Sequence, residues 1–294
     1  MTKISVVIPA RNRAKVIGRA IDCANRQTIA PIEIIVVDDA SDDDGATVAA
    51  AKAAQAAGIP VRIIGLDARA GAPNARNIGV AAASGDWIAL LDSDDGWADT
   101  KLAEQVALIE DDVVAVFTDT IFHDGKGGGN TKFGRDAGDP TALLYENTLG
   151  GCSAVMIRRS TFDAIGGFDI SLPSCQDWDM WLKLQRAGRI ALCRQPLTQY
   201  YFDGDDRISR NPASVARGHG IMYDRILSDY APAEKAGDVH RYQRFHLAQT
   251  LVYSTGVRRG VIAPALRNLV MPHGRTTRRS TLHLIGTALG LLRA

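Results

Sequence analysis

Four short apolar runs, Ile4–Ile8, Ile32–Val37, Val61–Ile64 and Trp87–Leu91, divide the first third of the chain, with helical patterns between them. This alternation constrains the fold more than any other feature. Between the first two runs, Val16, Ile17, Ala20, Ile21 and Ala24 recur with a helical period from Lys15 to Arg26. Ala46–Ala57 is alanine-rich and is closed by Gly58 and Pro60, and Asn74–Ala83 repeats the helical pattern. Such strand–helix–strand units are right-handed and build a mostly parallel sheet flanked by helices. The expected class is α/β.

Further along, Thr100–Ile109 reads as a helix and Val113–Phe117 as a strand. Gly125–Gly129 reads as a mobile surface loop. Ser153–Ile157 and Ile190–Cys193 read as strands around a helix at Gln176–Arg186, and from about residue 212 the pattern is helical, interrupted near Pro264 and Pro272. The expected organisation is an α/β domain over 1–210, with a nucleotide-binding half (1–119) and an acceptor half (120–210), followed by a helical extension over 211–294.

In an open α/β sheet, ligands sit outside the carboxyl ends of the strands. The fourth apolar run passes directly into Asp92-Ser93-Asp94-Asp95. Three carboxylates at such an edge repel one another unless a cation lies among them. A hard divalent ion with oxygen ligands suits them, and Mg²⁺ or Mn²⁺ held this way commonly also binds phosphate. The second run delivers Asp38 and Asp39 to the same edge, and the first delivers Pro9-Ala10-Arg11-Asn12-Arg13. Asp39 is placed to accept from a nucleobase N–H. Ser41 and Asp44 have the spacing of a cap for the helix from Ala46. Neither GxGxxG nor GxxxxGK[ST] follows the first strand, which removes the main sequence support for a dinucleotide dehydrogenase or a P-loop NTPase.

Charge is unevenly distributed. Residues 1–206 hold 29 acids and 20 bases, and residues 207–294 hold 14 bases and 4 acids. From Val239 onward there is neither Asp nor Glu. Arg275, Arg278 and Arg279 precede Leu282, Ile285, Leu289 and Leu292, which share helical spacing. Residues 275–293 could thus lie on an anionic membrane surface, or pack on the catalytic domain or a second subunit. Basic residues without aromatic interleaving or a recognition motif do not suggest nucleic acid. No apolar stretch reaches the roughly 20 residues that span a bilayer. Cys23, Cys152, Cys175 and Cys193 form no CxxC pair. With a strand-like run starting at Ile4, they suggest a reducing, cytoplasmic setting without a signal peptide.

Val6-Val7-Ile8-Pro9-x-Arg11-Asn12, Ile35-Val36-Val37-Asp38-Asp39-x-Ser41-x-Asp43, Ala75-Arg76-Asn77-x-Gly79 and Gly85-Asp86-Trp87-Ile88-Ala89-Leu90-Leu91-Asp92-Ser93-Asp94-Asp95 come in this order. Together they resemble the family 2 glycosyltransferases of the GT-A fold over about the first 210 residues. The resemblance implies that Pro9, Ala10, Arg11 and Asp39 hold the base, usually uracil. It places Arg76, Asp92 and Ser93 near the nucleotide, and Asp94, with Asp95 nearby, on a Mn²⁺ or Mg²⁺ ion at the diphosphate. Arg76 could instead form a structural salt bridge, and the acids could cap a solvated turn.

Gly166-Gly167-Phe168-Asp169 followed by Gln176-Asp177-Trp178-Asp179-Met180-Trp181-Leu182 resembles the segment that supplies the family's general base. The resemblance makes Asp177 that base and puts Gln176, which replaces the usual Glu, and Trp178 on the acceptor side. Asp179 reads as solvated or salt-bridged. Ser174-Cys175-Gln176-Asp177 is also a capping-box pattern, so a purely structural role for Asp177 stays open. Relatives often carry a metal-ligating His after this helix. Here the stretch is Tyr200–Ser209 with no His. Either Asp203 or Asp205 could take its place as a harder oxygen ligand, or the stretch could be a flexible loop without a ligand, and the assignment stays open.

The expected activity is inverting transfer from a nucleotide-diphosphate sugar, a UDP-sugar, to a hydroxyl of a glycan or lipid-linked acceptor, as in polysaccharide biosynthesis. The expected location is the cytoplasm, peripheral to the inner face of the cell membrane. A catalytically degenerate nucleotide-sugar scaffold is the non-enzymatic alternative. A sugar-phosphate nucleotidyltransferase would require glycines that Pro9–Arg13 lacks.

Overall fold

Strand β1 (Ile4–Ala10) is buried along its whole length, and β2 (Glu33–Asp38) is buried from Ile34 onward. A parallel strand covered by helices on both faces needs this continuous apolar character. In the computed structural model, which describes residues 2–55, 59–123, 129–132, 139, 141–201 and 211–255, both strands lie inside a nine-stranded sheet. β3 (Val61–Gly65) and β4 (Trp87–Leu90) complete its parallel part, in the order β3-β2-β1-β4. The intervening helices are α1 (Ile17–Asn25), α2 (Ala46–Ala53) and α3 (Ala72–Ala82).

Ile17, Ala20, Ile21 and Ala24 of α1 are buried with Ile4, Val6 and Ile8 of β1 in one apolar core. Helix α3 approaches the other face closely. A Cβ on Gly79 would lie 2.4 Å from Val7 Cγ1 and 3.2 Å from Val37 Cγ2, so glycine lets the helix backbone sit against β1 and β2. The cap expected from Ser41 and Asp44 does not form. Gly45 is the N-cap, without a side-chain bond, and Asp43 Oδ2 accepts from both Thr47 N and Thr47 Oγ. The Ser41 hydroxyl instead donates to Asp38 and accepts from Asn12 N. Competition from the strand end overrides the local pattern.

Beyond β4 the strands run in both directions. Next come β5 (Gly96–Trp97), α4 (Lys101–Val106), β6 (Val113–His123), β7 (Gly129–Lys132), β8 (Val155–Arg158), α5 (Arg159–Ala164), α6 (Gln176–Ala187) and β9 (Arg189–Tyr201). The order continues β8-β6-β9-β5, with β7 on β6. β8 is antiparallel to β4 and β6, β9 is parallel to β6, and β5 is antiparallel to β9. β6 and β9 are longer than their apolar runs. Their extensions pass through register shifts around Thr118–Thr120, where Asp119 stands opposite Pro196. A ladder irregularity is where a strand tolerates proline.

Two buried polar residues stand out in this part. Lys101 lies 4.2 Å from the Trp97 ring centre and donates to Gln105 Oε1. Burial pushes its amine down to about 7, with nearby Cys23 and Cys193 opposing the shift. Asp179, expected to be solvated or salt-bridged, is fully buried and paired with Lys183 at 2.8 Å.

The chain divides into two compact units. The first comprises residues 1–140, 147–170 and 176–204, and holds the sheet. The second comprises 141–146, 171–175 and 205–294. In the second, α7 (Pro212–Arg225) starts at Asn211, whose side chain accepts from Ser214 N, and α8 (Ala233–Thr255) follows. Segment 171–175 packs on α7 so closely that a Cβ on Gly218 would lie 1.9 Å from Ser174 Oγ. Ser174 donates to Ser214 O, and Ser214 Oγ donates to Pro173 O. Tyr223 Oη bonds His246 Nδ1 at 2.6 Å. Burial, with His219 nearby, pulls that imidazole down to about 4.

Gly125–Gly128, Asp203, Asp205 and residues 275–293 lie outside the described residues. Among the described residues, no helix is long and apolar enough to cross a membrane, and the four cysteines are free thiols.

Candidate active site

Because β1, β2 and β4 are parallel, their carboxyl ends meet at one edge. The chain leaves β1 through Pro9 and Ala10, both buried, and Ala10 O accepts from Asp39 N at 2.8 Å. Asp39 is buried, and its carboxylate spans to the turn before α3. Oδ1 accepts from Ala70 N and Oδ2 from Gly71 N. A carboxylate has about four acceptor positions, so capacity for a further donor remains. Arg11 pairs with the exposed Asp42 at 3.4 Å.

The acids after β4 sit in a tied turn. Asp92 N donates to Ser153 Oγ at 3.0 Å, and the same hydroxyl donates to Asp95 Oδ2 at 2.6 Å. Ser153 is held in turn by Trp97 Nε1, which donates to its carbonyl. Asp95 and Ser93 are buried, while Asp92 and Asp94 are half-buried. Ser153, which the sequence suggests only as the start of a strand, lies just before β8 and organises this turn. Its signal in the sequence was weak because a lone serine before an apolar run has no distinguishing pattern.

Arg76 lies on α3 and pairs with Asp92 Oδ1 at 2.5 Å. Its guanidinium carbon is 5.5 Å from the centre of the Phe168 ring. Phe168 is fixed by the next residue of the same motif: Asn77 Nδ2 donates to Phe168 O, and Asn77 Oδ1 accepts from Phe168 N. Gly167 has φ +67, and a Cβ there would come within 2.7 Å of Asn77 Oδ1. The Arg76-Asn77 and Gly166-Gly167-Phe168 motifs are thus two sides of one contact. Burial opposes the charge on Arg76, but attraction to Asp92 outweighs it and holds the guanidinium protonated.

Asp177 comes from the first turn of α6. Its Oδ2 accepts from Asn147 Nδ2 at 2.9 Å, and its Oδ1 accepts from Trp178 N at 2.8 Å. The reciprocal bonds of a capping box are not made among the described residues, and the Ser174 hydroxyl goes to Ser214 O. Asn147 is braced by Gly150, accepting from its N–H and donating to its carbonyl. The Gly150 carbonyl also accepts from Trp181 Nε1 at 2.8 Å. Asn147 was missed in the sequence, where Asn147-x-x-Gly150 looks like any turn. Burial raises the pKa of Asp177, the Trp178 N–H and Arg76 lower it, and Asp92 raises it. Arg76 and Asp92 thus act on the Asp177 carboxylate in opposite directions. Gln176 and Trp178 are 8% and 2% exposed, which leaves little of either for contact with an acceptor.

The donor set at the sheet edge is all carboxylate. Asp92 is engaged with Arg76 and Asp95 with Ser153, and no group of three or more His, Cys, Asp or Glu among the described residues is placed to hold a metal ion. Among the described residues, an all-protein cage does not fit. A hard cation that takes one or two carboxylates and completes its shell with water and phosphate oxygens does.

The family model described as Glycosyl transferase family 2 matches residues 5–166. The chain is 32% identical over 236 residues to the glycosyltransferase YwdF of Bacillus subtilis (strain 168), covering 79% of this chain and 85% of that one. It is 26% identical over 258 residues to the amylovoran biosynthesis glycosyltransferase AmsB of Erwinia amylovora, covering 83% and 82%. In fold it is similar to the mannosyltransferase PcManGT from Pyrobaculum calidifontis in complex with GDP-Man and Mn²⁺, with TM-score 0.64, 19% identity and coverage of 99% and 81%. It is equally similar to S. aureus TarS 1-349 in complex with UDP-GlcNAc, with TM-score 0.64, 16% identity and coverage of 99% and 93%. Motif order, sheet topology and these likenesses agree: the chain belongs to glycosyl transferase family 2 and is a glycosyltransferase of the GT-A fold.

Proposed function

We propose that this enzyme transfers a sugar, with inversion, from a UDP-sugar to a hydroxyl of a glycan or lipid-linked acceptor, with Asp177 as general base. The observation that carries the reading is that the Arg76–Asp92 ion pair at the carboxyl edge of the sheet lies against Phe168, with the same two charges acting on the carboxylate of Asp177. It joins a carboxylate from the second half of the domain to the edge where nucleotide residues are expected.

Asp39, with the backbone of Pro9, Ala10 and Arg11, holds the base, and Asp92 and Ser93 border the ribose. Arg76 stabilises negative charge on the leaving nucleotide, as a fixed guanidinium does in a site shielded from water. A divalent cation on Asp94, with Asp95 beside it, supplies further positive charge to the diphosphate when bound. Asp177 takes the proton of the acceptor hydroxyl as its oxygen bonds to the anomeric carbon. The bond to the diphosphate oxygen breaks with its electron pair on UDP. No covalent glycosyl intermediate is needed. A relative named for amylovoran biosynthesis supports a polysaccharide acceptor. The basic segment 275–293 gives the enzyme a peripheral position on the anionic inner face of the cell membrane.

Calorimetric titration of UDP and of GDP, with Mn²⁺ and again with EDTA, tests the donor site. Metal-dependent binding that prefers UDP and is lost in Asp94→Asn is expected. Binding of neither nucleotide under either condition would overturn the reading.

A further inference from the structure

The turn that carries Asp94 has a second support, outside the residues assigned above. Arg19 of α1 donates from a terminal guanidinium nitrogen to the backbone carbonyl of Asp94. Its guanidinium carbon lies 3.9 Å from the centre of the Tyr201 ring. On Tyr201 stacks His123, with ring centres 4.6 Å apart and planes 9° from parallel. Three residues far apart in sequence, from α1, β6 and β9, thus form a column ending on the carbonyl of Asp94.

The column is in register with the turn. Gly96, two residues after Asp94, pairs with Gln199 in the β5–β9 ladder. A Cβ on Gly96 would come within 3.3 Å of Tyr201 Cε2, so the glycine backbone lies close to the ring. Tyr201 Oη donates to Gln199 Oε1, which fixes the ring to its own strand. An arginine is the side chain this geometry requires. A planar guanidinium can stack through its face while donating in its plane, whereas an ammonium cannot.

We propose that Arg19 is a positioning residue for the cation and diphosphate site, acting through the Asp94 carbonyl, with Tyr201 and His123 as the stack that holds it. The proposal rests on the reading of Asp94 as a cation ligand. Arg19 fixes the main chain from which that carboxylate projects. Loss of such an outer support typically costs about 10- to 100-fold in metal affinity or activity.

The test is calorimetry of UDP binding to the full chain, with Mn²⁺ and with EDTA, for wild type, Arg19→Lys, Tyr201→Leu, Tyr201→Phe and Asp94→Asn. With Mn²⁺, Arg19→Lys and Tyr201→Leu are expected to weaken binding by about tenfold or more. Tyr201→Phe, which keeps the ring, is expected to stay within about twofold of wild type, as are all variants in EDTA. Thermal midpoints monitor folding, and Arg19→Lys, which preserves charge on a partly exposed helix face, carries the test should Tyr201→Leu not fold. Wild-type affinity in Arg19→Lys, alongside loss of metal dependence in Asp94→Asn, overturns the positioning role alone. Equal weakening of Arg19→Lys with and without metal also overturns it, because that result means direct contact with the nucleotide. Retained metal dependence in Asp94→Asn overturns the cation-site reading itself.

Discussion

Asn147 Nδ2 donates to Asp177 Oδ2 at 2.9 Å, and this bond helps set how readily the proposed base can act. A donor to a carboxylate favours its charged form. Burial acts the other way and raises the Asp177 pKa. A general base works only when deprotonated, so the rate falls as pH drops through that pKa. Asn147→Leu removes the donor, raises the pKa further and moves the acid limb of the kcat/KM profile to higher pH. A pH–rate series on both proteins checks this, and an unmoved limb contradicts it.

Arg76 also favours the charged form of Asp177 while pairing with Asp92. Arg76→Met is therefore expected to shift the same acid limb upward. It also leaves Asp92 without its cation, at a cost to folding of roughly 1–3 kcal/mol for this half-exposed carboxylate. Asp92→Asn removes that cost, so the double variant should lose less stability than the two single losses together. Denaturant unfolding of the four proteins measures the coupling.

Lys101 makes folding stability depend on pH. Burial lowers its folded pKa to about 7, against an unfolded value of about 10.4. Between these values the unfolded chain binds the extra proton, so this residue's contribution favours folding increasingly as pH rises. The maximal slope is about 1.4 kcal/mol per pH unit. Below about pH 7 both states are protonated and the slope vanishes. Relative to wild type, Lys101→Met should thus lose ground between pH 7 and pH 10. A constant difference in unfolding free energy over that range contradicts the prediction.

Gly79 gives a prediction about packing alone. An added Cβ would overlap Val7 Cγ1 at 2.4 Å, and a β-branched side chain in a central strand has little room to yield. Gly79→Ala gains helix propensity but overpacks the interface, with an expected net loss of about 1–3 kcal/mol. A thermal midpoint equal to or above wild type would show that α3 can retreat from the sheet.

The parallel part of the sheet was legible because its buried strands are continuous apolar runs that end in chemically distinctive residues, such as Asp38-Asp39 and Asp92-Ser93-Asp94-Asp95. The extensions of β6 and β9 were not, because Thr118–Thr120 and Arg194–Pro196 interrupt the apolar pattern where the ladder itself is irregular. At the site, motif residues such as Arg76 and Asp177 could be named in advance. Asn147, Ser153 and Arg19 could not. Each contributes one ordinary polar group whose partner lies between 30 and 75 positions away. Such contacts arise from topology and leave no local spacing to read. The same effect misdirected Ser41, whose hydroxyl was drawn to Asp38 and Asn12 instead of the next helix.

The most direct test of the central claim is turnover of a UDP-sugar by Asp177→Asn, measured as UDP release beside calorimetric UDP binding. Asn preserves the size of the side chain and removes its ability to take a proton. Loss of about 10²-fold or more in kcat, with nucleotide affinity unchanged, is the predicted result. Turnover at the wild-type rate would contradict Asp177 as the base and leave its contacts with Asn147 and Trp178 as structural only.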